Sequence, residues 1–261
     1  MAVRLARSGH TPVGALALAT LNRATVLRKI GQIGVANVAR YAREKLIPQS
    51  TKALPKIHNS YLLPLLKHDK HDEGVFRSMR EVAAAYDFPL ALCHDQNAAD
   101  AIARLEEWAP DLIVFTGGNI LRKQLLQVPR LGVLNVHLGS LPEVRGMSTP
   151  EWSLLKQVPP GITIHYMDEG IDTGPILQKN ELPGADTCAS LSDLRNRLIA
   201  FGVEKIGEVV GALDRGKISA TPQSGLDEDR QLFVMHEWLQ RQAAGRLFTK
   251  RIASQTETVH G

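Results

Sequence analysis

The spacing of apolar positions changes period several times along this chain, and each change predicts an element. Residues 97–108, "NAADAIARLEEW", place apolar side chains at helical spacing behind Asn97, a natural N-cap. "DLIVFTGG" (111–118) is an unbroken apolar run closed by two glycines and predicts a short buried strand. "ILRKQLLQV" (120–128) returns to helical spacing, and "GVLNVH" (132–137) is again a strand. Strand, helix and strand in that order predict a parallel sheet with covering helices, hence an α/β protein. "GITIHYMD" and "GPILQKNEL" then read as two strands joined by "EGIDTG", a hairpin-like loop framed by Gly170 and Gly174. Residues 190–213 form one long amphipathic pattern with a cap signal at Ser190 and Asp193.

The first third is less periodic. Residues 25–46 predict a basic helix, "HDKHDEG" (68–74) a polar loop, and the stretch around "VFRSMREVAAAY" a further helix. The tail carries one helical pattern, "LFVMHEWLQRQAAGRL" (232–247). The expected organisation is a main domain over 1–215 and a C-terminal extension over 216–261, with no room for a second domain of ordinary size.

Composition narrows the class without deciding it. The 261 residues are 44% hydrophobic with a net charge of +4, which suits a globular protein with a substantial core and is far from a nucleic-acid-binding signature. Two cysteines, Cys93 and Cys188, are too few for a disulfide framework and predict packing thiols in a reducing, cytoplasmic compartment. The N-terminus has a basic start and a short apolar stretch, but Ser8, Gly9 and His10 interrupt it, so it is not read as a signal peptide, and no run reaches the ~20 apolar residues of a membrane helix.

Candidate chemistry sits where the strands end. Asn135 and His137 are two apart on "GVLNVH", so they face the same way at its C-terminal end, opposite Leu134 and Val136. Either alone is more often a satisfied structural residue. Together, just before "GSLPEVRG", they suggest a site, because ligands of open parallel sheets bind beyond the strands' carboxyl ends. An amide and an imidazole can both donate to a carbonyl oxygen as it becomes an oxyanion. Asp172, in its glycine-framed loop, is the candidate proton acceptor, while Asp168 and Glu169 beside it read as solvated loop residues. "HDKHDEG", with His68, Asp69, His71, Asp72 and Glu73, has zinc-ligand residue types, but its lysine and loop setting favour a solvated turn.

"NVHLGSLPEVRG" followed by "GITIHYMDEGIDTGPIL" resembles the signature of the folate-dependent formyltransferases, most clearly over residues 110–182. The resemblance implies a Rossmann-like, doubly wound, mostly parallel sheet, with a formyltransferase catalytic domain over 1–215. It also implies transfer of a formyl group from 10-formyltetrahydrofolate to a primary amine without a metal. By motif position it assigns Asn135, His137 and Asp172 to catalysis. Folate contacts fall to Asn119, Ile120 and Leu121 and to the loop backbone from Asp168 through Glu169 and Gly170. The sequence departs from the family at "HLGSLP", where His-Pro-Ser-Leu-Leu-Pro is common, and at Val144, where an aromatic residue usually precedes the arginine. In the family that these motifs resemble, a strand and a helix precede a turn such as "SGHTPVGALAL", so either the first strand is missing from the sequence or "VGALALAT" supplies it; the first is the expectation.

Among the family's acceptors, the short tail disfavours methionyl-tRNA, whose enzymes carry a further C-terminal barrel, and extra material at both ends disfavours glycinamide ribonucleotide, whose enzymes are close to the bare core, so an amino sugar on a nucleotide is the expectation. The expected partners are therefore small molecules rather than a membrane or a nucleic acid, with homo-oligomerisation left open. The basic residues Arg23, Arg28, Lys29, Arg40, Arg43 and Lys45 read as a solvated helix face. Competing readings are a formyltransferase-like protein that binds folate or a nucleotide without turnover, and an interaction module built on the basic helix and tail.

Overall fold

The computed structural model describes residues 1–19, 59–67, 75–226 and 231–247. The basic helix expected at 25–46, with Arg23 and the other basic residues named above, and the "HDKHDEG" loop lie outside these. The chain divides into two compact units, Val13–Trp108 and a second made of Met1–Pro12 with Ala109–Gly261.

Helix α1 (Ala2–Arg7) belongs to the second unit. Within Val13–Trp108, strand β1 (Ala15–Leu18) pairs in parallel with β2 (Leu90–Cys93), so "VGALALAT" does form a strand. Helix α2 (Met79–Ala85) precedes β2 and α3 (Ala99–Trp108) follows it. Ser78 caps α2 by accepting from the Glu81 amide, and Glu81 reaches back to the Arg77 amide, so donors that a helix start would leave unpaired are satisfied. Asp95 organises the turn before α3, accepting from both the backbone and the side chain of Asn97.

The second unit carries the larger sheet. Strand β3 (Leu112–Phe115), the short helix α4 (Lys123–Leu126) and β4 (Gly132–His137) form the predicted parallel strand-helix-strand unit. Helix α5 (Thr149–Lys156) follows; its apolar pattern is short and opens on Pro150, and no element was expected there. Strands β5 (Gly161–Tyr166) and β6 (Ile176–Glu181) complete an order β3-β4-β5-β6 in which the last two pairings are antiparallel. The protein is therefore α/β, with parallel ladders in both units and an antiparallel flank that the hairpin-like loop made legible.

Helix α6 (Leu191–Asp214) covers the sheet. Ser190 accepts from the Asp193 amide and Asp193 from the Ala189 amide, the cap expected from sequence. Its inward face, Leu194, Leu198, Ile206 and Val209, joins Leu134, Ile162 and Ile164 in one core. Gly202 lets the helix approach β4, since a Cβ there would stand 2.6 Å from Val136 Cγ1. Residues after 215 belong to the same core: Met235, Ala243 and Leu247, the last two on helical residues 237–247, are buried in it.

Cys93 and Cys188 are free and buried, and burial pushes both thiols up. Among the described residues no helix is long and apolar enough to cross a membrane.

Candidate active site

The ladder between β4 and β5 alternates in chemistry. Leu134 faces Tyr166 and Val136 faces Ile164, while Asn135 faces His165 and His137 faces Thr163. Because side chains alternate across a strand, the two polar pairs share one face of the sheet and Leu134 turns into the core on the other. Asn135 and His137 are therefore on one face, as their spacing required. His165 was not expected here. The period of two that linked Asn135 to His137 also links Thr163 to His165 in "GITIHYMD", and that signal could have found it.

Asp172 meets this face from the loop. Its carboxylate lies 3.4 Å from His137 Nδ1 and 3.7 Å from His165 Nε2, and accepts from the Gly146 amide at 3.1 Å. The loop reaches in because Asp172 itself adopts the left-handed region, φ 54°, a conformation aspartate tolerates better than most residues. Neither of the framing glycines has positive φ. Gly174 is needed for close approach: a Cβ there would stand within 2 Å of the Tyr166 carbonyl oxygen.

Tautomers follow from the partners. His165 Nδ1 lies 2.8 Å from the Tyr166 carbonyl, which can only accept, so Nδ1 carries the proton. Nε2 then accepts from the Asn135 carboxamide at 3.2 Å and fixes its orientation, leaving the amide's second N–H for another acceptor. Burial, at 1% exposure, holds His165 below its ordinary proton affinity against the opposing pull of Asp172, which keeps the ring neutral. His137 Nε2 donates to the Val144 carbonyl at 2.7 Å, while Nδ1 faces the Asp172 carboxylate. Burial opposes ionisation of Asp172, but the hydrogen bond and electrostatic pull of His137, together with the Gly146 amide, outweigh it and hold the carboxyl below its usual range.

The turn after His137 is held by side chains of neighbouring elements. Thr163 Oγ1 donates to the Gly139 carbonyl and accepts from the Leu141 amide, and Thr149 Oγ1 donates to the Leu138 carbonyl. Val144, where the family pattern has an aromatic, is fully buried, so its part in the site is its carbonyl.

The segments expected to touch folate lie next to one another, because Lys123, just past residues 119–121, stands 3.7 Å from Glu169 of the loop. Their side chains are unevenly available. Ile120 and Asn119 are exposed, whereas Leu121 is 4% exposed and packs inward, which leaves only its backbone for a ligand. Asp168 is engaged in its own loop, accepting from the Gly170 amide and the Thr173 hydroxyl, so this loop too offers mainly backbone. Among the described residues no group of three or more His, Cys, Asp or Glu side chains is placed to hold a metal ion.

Comparison with known proteins places this arrangement. Residues 67–210 match the family model described as formyl transferase. Methionyl-tRNA formyltransferase of Pelobacter propionicus is 35% identical over 148 residues, covering 56% of this chain and 46% of that protein. The same enzyme of Nitrosomonas europaea is 35% identical over 189 residues, covering 68% and 57%. The chain thus spans about half the length of the curated relatives it matches. Among solved structures, the formyltransferase PseJ from Anoxybacillus kamchatkensis, in complex with UDP-4,6-dideoxy-4-formamido-L-AltNAc and tetrahydrofolate, aligns with a TM-score of 0.45. It shares 24% identity and covers 56% of this chain and 76% of its own. Since the matched stretch takes in more than half of the sequence and includes Asn135, His137, His165 and Asp172, this chain belongs to the formyl transferase family.

Proposed function

We propose that the protein transfers a formyl group from 10-formyltetrahydrofolate to a primary amine. The observation that carries this reading is the position of the Asp172 carboxylate, within 4 Å of both His137 and His165 and, through His165, tied to the Asn135 amide. An amine attacking the formyl carbon creates an oxyanion and must lose a proton, and N10 of the folate must gain one as the C–N10 bond breaks. Asn135 donates its second amide N–H to the oxyanion. Asp172 takes or relays the amine proton and supports positive charge on His137. For His137 to donate to the oxyanion through Nε2 it must exchange its bond to the Val144 carbonyl; until then its contribution is electrostatic. The exposed segment 119–120 and the backbone of the 168–170 loop, brought together by Lys123 and Glu169, are the proposed folate contacts.

For the acceptor, the matched relatives favour methionyl-tRNA. The amino-sugar expectation rested on how far the sequence extends at its two ends, and in a chain spanning about half of its curated relatives that extent has no bearing on the acceptor. The test supplies 10-formyltetrahydrofolate with methionyl-tRNA, amino-sugar nucleotides or glycinamide ribonucleotide and follows tetrahydrofolate release. Release with methionyl-tRNA is the expected outcome, and release only with an amino sugar reverses the acceptor assignment. Folate binding without release for any amine replaces the enzyme with a binding protein.

A further inference from the structure

Asp172 occupies a backbone conformation that few non-glycine residues hold without support, and the support comes from beyond the family match. Thr221 exchanges both backbone hydrogen bonds with Ile176, each 2.8 Å, which anchors the chain after α6 to the first residue of β6. Two residues on, the Gln223 amide nitrogen donates to the Asp172 carbonyl at 3.0 Å and to the Gly174 carbonyl at 2.7 Å. One side chain thus binds the loop backbone at the residue that carries the carboxylate and at the glycine that packs against Tyr166. The same stretch of chain holds the opposite wall. Leu232 donates to the Arg145 carbonyl and accepts from the Met147 amide, flanking Gly146, whose own amide donates to the Asp172 carboxylate.

We infer that Gln223 is a positioning residue, which clamps the Asp172 loop so that the carboxylate stays between His137, His165 and the Gly146 amide. Gln223 and Leu232, both in the stretch over 216–261 set apart as an extension by sequence, are on this reading part of the site. Glutamine suits the task because both donors leave from one nitrogen and reach two carbonyls of the one loop. Three hydrogen bonds, two to the loop backbone and one to the carboxylate, then fix a group whose placement sets the proton transfer.

The consequence for turnover rests on the formyl-transfer reading, and the test separates the two. Gln223→Met keeps the length and removes the donors without adding charge; Gln223→Asn keeps the amide but falls one methylene short. Each is compared with wild type for kcat and KM in tetrahydrofolate release, and for the pH titration of the Asp172 carboxyl by 13C NMR, assigned with Asp172→Asn. The groups facing that carboxyl are His137 from β4, His165 from β5 and the Gly146 amide, with Asp168 on its own loop, and neither substitution alters them. The expected result is a kcat lower by roughly tenfold to a hundredfold, with KM for the folate within about twofold. The Asp172 carboxyl is expected to titrate higher than in wild type, with no comparable loss in melting temperature. A carboxyl that titrates as in wild type in a folded variant overturns the clamp. Wild type that releases no tetrahydrofolate defeats the formyl-transfer reading instead, and the carboxyl titration still decides the clamp.

Discussion

Two ladders of this protein have opposite chemistry. Between β1 and β2 every facing pair is apolar: Ala15 with Leu90, Leu16 with Ala91, Ala17 with Leu92 and Leu18 with Cys93. Between β4 and β5 apolar pairs alternate with Asn135 opposite His165 and His137 opposite Thr163. Burying those polar groups is costly unless each finds a partner, and each does, in Asp172, a neighbouring carbonyl or one another. The first ladder is scaffold. The second spends burial on a fixed polar constellation, which is what a preorganised site requires.

That contrast can be tested by removing its parts. Asp172→Asn should have the largest effect, because asparagine tolerates φ 54° and so removes the charge while sparing the backbone. A fall in kcat/KM of roughly 10²–10⁴-fold is expected, read from tetrahydrofolate release. Asn135→Ala follows, with the barrier raised by about 3–4 kcal/mol as one oxyanion donor disappears, and a rate loss under about tenfold would remove Asn135 from that role.

His165→Gln should cost on the order of tenfold in kcat, since glutamine can still orient Asn135 but less rigidly. Its sharper readout is pH. The folded protein holds His165 below its ordinary value of 6.5, so between that value and the depressed one the unfolded chain binds more protons. Stability must therefore decline as pH drops below about 6.5 and level off once pH passes below the folded value. Asp172, held below 3.8, stabilises above that value and adds no slope between pH 7 and 5. Urea midpoints across that interval should decline less steeply in His165→Gln, and an unchanged slope would mean the ring is not buried neutral. The smallest effect belongs to the apolar ladder, where Leu92 is largely exposed. Leu92→Thr should shift urea stability by no more than about 0.5 kcal/mol.

Sequence reading succeeded where chemistry is carried by short-range order. The alternation in "GVLNVH" placed Asn135 and His137 on one face, and the Ser190 and Asp193 cap marked where α6 begins. The loop ending in "DTGP" delivered Asp172 to the strand ends as its motif implied. What went unread was set by partners distant in sequence. The alternation in "GITIHYMD" puts His165 on the face of Thr163 but does not say that it will lie against Asn135, thirty residues earlier, and nothing local to "TPQSG" says that Gln223 will reach the Asp172 and Gly174 carbonyls.

By itself the sequence determined the succession of strands β3 to β6, the faces on which Asn135 and His137 lie and the family the chain belongs to, since these follow from backbone periodicity and from motifs within a few residues of one another. Only the tertiary structure decided which nitrogen of His165 carries its proton, why Asp172 stays ionised and what holds its loop. Those depend on desolvation and on hydrogen bonds closed between strands β4 and β5, the loop before β6 and the chain after α6, where no local pattern constrains the geometry.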